Sequence, residues 1–69
     1  MASPLQAELD QVKAAKAALE AVLKGKSPCP PGVDAELFSM YQSMPADQRW
    51  PTLKAMHETI AVLLQRLLA

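Results

Sequence analysis

The sequence contains one cysteine, Cys29, and one histidine, His57, among its 69 residues. A single cysteine cannot form an intramolecular disulfide, and one histidine leaves too few nitrogen and sulfur ligands for a structural zinc site. We therefore predict no metal and no tightly bound cofactor. The lack of paired cysteines also favours a reducing compartment, and the cytoplasm is the expected location.

The sequence also has few glycines and a net charge of zero. The only glycines are Gly25 and Gly32, so the sequence has no glycine-rich phosphate-binding loop. Seven Lys and Arg balance seven Asp and Glu, which removes the main electrostatic contribution to binding nucleic acid or anionic membranes. No apolar run approaches the roughly eighteen residues of a membrane span. These features predict a non-enzymatic protein that binds no nucleic acid and has no membrane span.

Alanine and leucine are abundant and follow a helical pattern. Ser3 is a suitable helix cap, Gly25 is a suitable helix terminator, and strong helix formers fill the interval between them. The pattern predicts a helix over residues 4–24. Its apolar positions recur at steps of three and four, as in the seam of a coiled coil, with one lysine among them: Leu5, Leu9, Val12, Lys16, Leu19 and Leu23.

The rest of the chain predicts a connector and two further helices. Prolines and both glycines mark residues 25–33 as an extended connector. A short helix is expected over residues 35–43, capped by Asp34. The last helix is predicted over residues 51–68, with a kinked start within residues 46–50 as the alternative. Its seam residues, and three flanking residues at seven-residue spacing, are Leu53, Met56, Ile60, Leu63 and Leu67, then Trp50, His57 and Leu64.

Together these elements predict one all-α domain over residues 1–69. Two long amphipathic helices with a short helix between them would form a helical hairpin or a three-helix up-and-down arrangement. A lone domain of this size buries only about 60% of the surface that its unfolded chain exposes. Without a disulfide or a metal, the usual remaining source of stability is a partner subunit.

The predicted function is a protein–protein interaction module, an adaptor or chaperone-like subunit that acts through amphipathic helix packing. Its partner would be another protein or a second copy of the chain, giving a coiled-coil-like oligomer. The alternatives are a docking or dimerisation domain of a larger multienzyme or scaffold, and a small phage or plasmid regulator that binds a host protein. A thiol-based redox role for Cys29 is the one enzymatic alternative.

Ten residues are candidates for partner binding, because they lie on the seams or are of types favoured at interfaces: Lys16, Leu19, Leu23, Phe38, Tyr41, Trp50, Met56, Ile60, Leu63 and Leu67. Lys16 either sets the register of an interface or lies along its edge with the ammonium in water. Phe38, Tyr41 and Trp50 either anchor a partner or cap one end of the core.

The layout resembles that of the small two-helix cochaperones of type III secretion needle subunits. The shared features are a first helix rich in alanine and leucine, a Gly/Pro connector and a closing stretch reading KAMHETIAVLL over residues 54–64. The resemblance covers about the closing third of the chain, and the insert of residues 27–50 departs from it. It implies a hairpin that holds an aggregation-prone partner.

Overall fold

The computed structural model describes residues 3–26 and 28–69; Ser27, which belongs to the predicted connector, lies outside the described residues. Three helices follow one another along the chain: α1 (Pro4–Leu23), α2 (Ala35–Gln42) and α3 (Ala46–Leu68). No strand occurs in this described part of the chain. The all-α prediction is confirmed. The first two helices end within one residue of their predicted limits.

The ends of α1 follow from local sequence signals. The Ser3 side chain accepts a hydrogen bond from a backbone amide in the first turn. At the other end Gly25 adopts a positive φ of 72°, which a residue with a side chain rarely adopts. The N–H groups of Gly25 and Lys26 then donate to the carbonyls of Val22 and Ala21, both at 3.0 Å. This pair of bonds is the Schellman motif, and it satisfies two carbonyls that the end of a helix would leave free.

The short helix α2 is capped by a carboxylate. One oxygen of Asp34 accepts hydrogen bonds from the N–H groups of Glu36 at 2.9 Å and Leu37 at 3.1 Å. A helix of eight residues is marginal by itself in water. The buried side chains of Phe38 and Tyr41, which pack in the core, therefore hold α2 in place.

The third helix begins at Ala46, so the prediction that it starts at Pro51 is wrong, and residues 46–50 join the helix as in the alternative. Pro51 lies inside the helix, in its second turn, where it removes only the hydrogen bond to the carbonyl of Asp47. Pro51 follows the first turn, so one intrahelical hydrogen bond is lost, and Asp47 is exposed, so its free carbonyl can reach solvent. The Arg49 guanidinium also donates to the Gln42 carbonyl at the end of α2, at 3.0 Å, and ties this first turn to its neighbour.

Helix α1 is central, since both α2 and α3 pack against it. The main core lies at the end that α2 covers, and its buried residues are Ala18, Leu19, Ala21, Val22, Phe38 and Tyr41. Leu9 and Leu63 are buried outside this cluster, towards the other end of α1 and α3. The described chain extends 38 × 25 × 15 Å along its principal axes. Because α2 has eight residues and α1 has twenty, α2 covers only part of the hairpin, and the rest consists of α1 and α3 alone.

The hydropathy of the helices bears on membrane insertion. None of the helices in the described residues combines the length and the apolar character that crossing a membrane requires.

Candidate partner-binding surface

The two predicted seams pack against each other within the folded chain. Leu9, Leu19 and Leu63 are 2%, 0% and 3% exposed, and the other seam residues are half-buried. Since α3 packs along α1, the seams form the contact between these two helices. Lys16 is also half-buried, at the middle of α1. The α1–α3 contact therefore stabilises the hairpin itself.

The ten predicted partner-binding residues fall into three groups by exposure. Leu19, Phe38, Tyr41 and Leu63 are buried; Lys16, Leu23, Met56, Ile60 and Leu67 are half-buried; Trp50 is 65% exposed. The buried group lies in the interior of the folded chain, away from the surface that a partner would meet. Phe38 and Tyr41 therefore cap one end of the core, and burial raises the pKa of the Tyr41 phenol.

One side of α3 carries a row of exposed, mostly apolar side chains, which we call the outer stripe. It consists of Trp50, His57, Ala61, Leu64 and Leu68, spaced by seven, four, three and four residues, so they share one side of the helix. Trp50, Leu64 and Leu68 are 65%, 41% and 86% exposed. The sequence pattern had indicated Trp50, His57 and Leu64 as flanking residues. It had not indicated Leu68.

A small cleft adjoins the outer stripe at the end that carries Trp50. It has a volume of about 200 Å³ and lies between α1 and α3. Leu23, Leu53 and Trp50 supply its apolar lining, and Glu20 and Lys24 supply charged groups. Because Leu23 and Leu53 are half-buried, the cleft opens onto the edge of the core. Its size and lining suit one apolar side chain of a partner.

A second concave region runs along α1 and α3 on the side where α2 lies. Two grooves of about 300 and 360 Å³ share Ala55 and Thr59. Ala15 lines the first groove and also packs against the core under α2. Val62, which is 47% exposed, lines the second, together with the charged side chains of Glu8, Glu58 and Arg66. Helix α2 has eight residues and α1 has twenty, so α2 covers only part of this side of the hairpin. The grooves lie where a longer α2 would have continued.

The two side chains considered for thiol or metal chemistry have different surroundings. Cys29 is half-buried against the core, and its thiol donates to the Val33 carbonyl at 3.4 Å. His57 is exposed on α3. Within residues 3–26 and 28–69, no three His, Cys, Asp or Glu side chains form a group that could hold a metal ion. The outer stripe and the cleft beside Trp50 are formed mainly by apolar side chains, which suit packing against a protein.

Two features of the structure were missed by sequence reasoning. Ala18 and Ala21 are core residues, 0% and 6% exposed, in the cluster that also contains Phe38 and Tyr41 of α2. Their three-residue spacing was the available signal. Arg49 joins α2 to α3, and its buried Nε has no hydrogen-bond partner among the described residues. No pattern in the sequence indicated this contact.

Comparisons with known protein families, curated protein sequences and solved structures find no match to this chain.

Proposed function

We propose that the chain is a non-enzymatic protein–protein interaction module, an adaptor or chaperone-like subunit, that binds its partner by helix packing along the outer stripe of α3. One observation carries the proposal. Trp50, Leu64 and Leu68 are exposed in a row on α3, beside the seam that already packs against α1. Large apolar side chains aligned on one exposed helix face are typical of a protein-binding surface.

The free energy available from this surface is substantial for so small a chain. Fully burying one large apolar side chain contributes about 1.5–3 kcal/mol. Trp50 offers the largest apolar area, and tryptophan is among the residue types most enriched at binding hot spots. The cleft beside Trp50 would receive a side chain from the partner, which adds shape complementarity to apolar burial.

Substitution of the stripe tests the proposal against a matched control on the same helix. Leu64 and Val62 are 41% and 47% exposed, and they point in directions about 200° apart at roughly 100° per residue. Leu64→Ser should abolish co-purification of a stoichiometric partner polypeptide, or dissociate a dimer, whereas Val62→Ser should leave the native mass unchanged. Sedimentation equilibrium measures both outcomes.

The same experiment decides between the forms that the module could take. A complex with a second polypeptide supports an adaptor or chaperone-like subunit. A symmetric dimer with no other component supports a dimerisation domain of a larger assembly. A chain that stays monomeric with every prospective partner, or a complex that Leu64→Ser leaves intact, contradicts the proposal.

The cytoplasm is the proposed location, because Cys29 is a free thiol and nothing in the sequence calls for an oxidising compartment. Nucleic acid is not proposed as a partner, since the net charge of zero gives little overall attraction to phosphate.

A further inference from the structure

The lysines of the chain are distributed unevenly around the hairpin. Lys13, Lys16 and Lys24 share one side of α1 with Glu20, since they follow one another at steps of three, four and four residues. Glu20 and Lys24 line the cleft beside Trp50, which places this side of α1 next to the outer stripe. Lys54 follows Trp50 by one turn of α3. Four of the five lysines therefore border the stripe.

The opposite grooves have a different charge. Glu8 and Glu58 line them with Arg66 as the one cation. The side that carries the outer stripe, with four lysines and Glu20, is therefore basic, and the groove lining, with two glutamates and Arg66, is slightly acidic. The remaining charged residues bring the net charge of the chain to zero. Opposite potentials on two interacting surfaces promote encounter and select the partner.

Resting on the proposed function, we propose that the outer stripe binds an amphipathic helix whose apolar row is flanked by acidic side chains. The lysines bordering the stripe would pair with the acidic flanks, and the cleft at Trp50 would take one apolar residue of the row. Trp50 and Leu68 are separated by eighteen residues, which corresponds to about 27 Å along a helix axis. The partner helix would therefore need about five turns to cover the whole stripe.

A helix fits this surface better than a lipid bilayer does. The cleft is concave and can receive a single side chain, whereas a bilayer interface favours a broad convex apolar face on the protein. Glu20 lies among the lysines of α1, where it would be repelled by anionic headgroups but could pair with a cation of a peptide. The stripe is also only one side chain wide, and His57 interrupts its apolar residues.

The experiment uses Trp50, the sole tryptophan, as a fluorescent reporter on the full chain. Two synthetic helical peptides of twenty residues without tryptophan would carry the same leucine row, one with glutamate flanks and one with lysine flanks. We expect the acidic peptide to shift Trp50 emission to shorter wavelength and to bind at least about tenfold more tightly at low salt. That preference should diminish as the ionic strength increases.

Two charge reversals on the same helix provide matched variants. Lys54→Glu and Arg66→Glu change the net charge equally, and both residues are exposed, but Lys54 borders the stripe whereas Arg66 lines the opposite groove. Lys54→Glu should weaken binding of the acidic peptide by about three- to tenfold, and Arg66→Glu by less than about twofold. Thermal unfolding by circular dichroism confirms that each variant is folded.

The outcomes separate this inference from the proposed function. Equal binding of the two peptides, or equal effects of the two reversals, overturns the charge selection and leaves the stripe as a docking site. A shift with anionic vesicles or an oligonucleotide but with neither peptide overturns the inference in favour of those ligands. If the chain forms a dimer by itself and Trp50 is shielded from solvent in that dimer, a second copy of the chain occupies the stripe and the inference of an acidic helix is overturned. Failure of every probe, with a native mass unaffected by Leu64→Ser, overturns both proposals.

Discussion

The end of the hairpin that α2 covers differs from the opposite end. At the covered end three helices meet, and six buried residues form a continuous core. At the open end only α1 and α3 are present, with Leu9 and Leu63 as the buried residues. Stability is therefore concentrated at one end. The outer stripe begins at Trp50, beside the stable end, and extends to Leu68 at the thinly packed end. A bound helix would therefore add buried apolar area at the end where the chain itself buries least.

Truncating one leucine at each end should give the largest contrast. Leu19 is fully buried in the three-helix core, so Leu19→Ala should lower the free energy of unfolding by about 3–5 kcal/mol. Leu63→Ala should cost about 2 kcal/mol, because the two helices at its end can close around the cavity. Urea denaturation followed by circular dichroism measures both values. Equal losses would show that the two ends are equally well packed.

The helix caps should show the same contrast on a smaller scale. Asp34 accepts two amide hydrogen bonds at the covered end, and Ser3 accepts one at the open end. Asp34→Ala should cost about 1–2 kcal/mol, and Ser3→Ala about 0.5 kcal/mol, since a helix end that frays loses little with its cap. The same denaturation experiment applies, and a larger loss for Ser3 would contradict the assignment of the weak end.

Substitution of Lys16 tests the contact between α1 and α3, which runs from one end of the hairpin to the other. Its half-buried position on the α1 seam predicts that Lys16→Leu raises the free energy of unfolding by about 0.5–1 kcal/mol, through added apolar burial. The native mass should stay the same, because the seam packs within the chain. An altered mass in sedimentation equilibrium would instead show that Lys16 sets the register of an interface between chains.

The smallest effect should come from the ionisation of Tyr41 at the covered end. Burial raises the pKa of its phenol above the ordinary value near 10, so the unfolded chain loses this proton at a lower pH than the folded chain does. The unfolded state then binds fewer protons, and the free energy of unfolding falls as the pH rises above 10. Tyr41→Phe should reduce that fall. An identical pH dependence in both proteins would exclude a contribution from Tyr41.

Local signals in the sequence predicted most of the fold. Ser3, Gly25 and Asp34 act through neighbouring backbone groups, and such short-range contacts can be inferred from residue types and spacing. Pro51 misled the prediction because proline is favoured at the first position of a helix, whereas here it is the sixth residue, where it removes one hydrogen bond. Arg49, in the turn before Pro51, donates to the Gln42 carbonyl at the end of α2, and this contact between two helices has no signal in the local sequence.

The surface was less predictable than the fold. Leu63 and Leu64 are neighbours of the same residue type, yet they are 3% and 41% exposed. Periodicity placed Leu63 on the seam and Leu64 on its flank, but it could not show that α1 would cover the seam and leave the flank exposed. Ala18 and Ala21 pose the reverse difficulty, since a small side chain gives a weak signal of burial. The burial of these residues depends on which helices pack together, and the sequence pattern of one helix does not show where the other helices lie.

The shortness of α2 bears on the order in which the native contacts form. Eight residues cannot maintain a helix in water, whereas α1 has twenty residues, several of them alanine, and no glycine or proline in its interior. We expect α1 to be partly helical before collapse. We expect α2 to become helical only when its side chains Phe38 and Tyr41 pack against α1. Loss of α2 therefore removes the core at the covered end, so the amides of α2 should exchange with solvent together with those of the last turns of α1, and more slowly than those near Ser3.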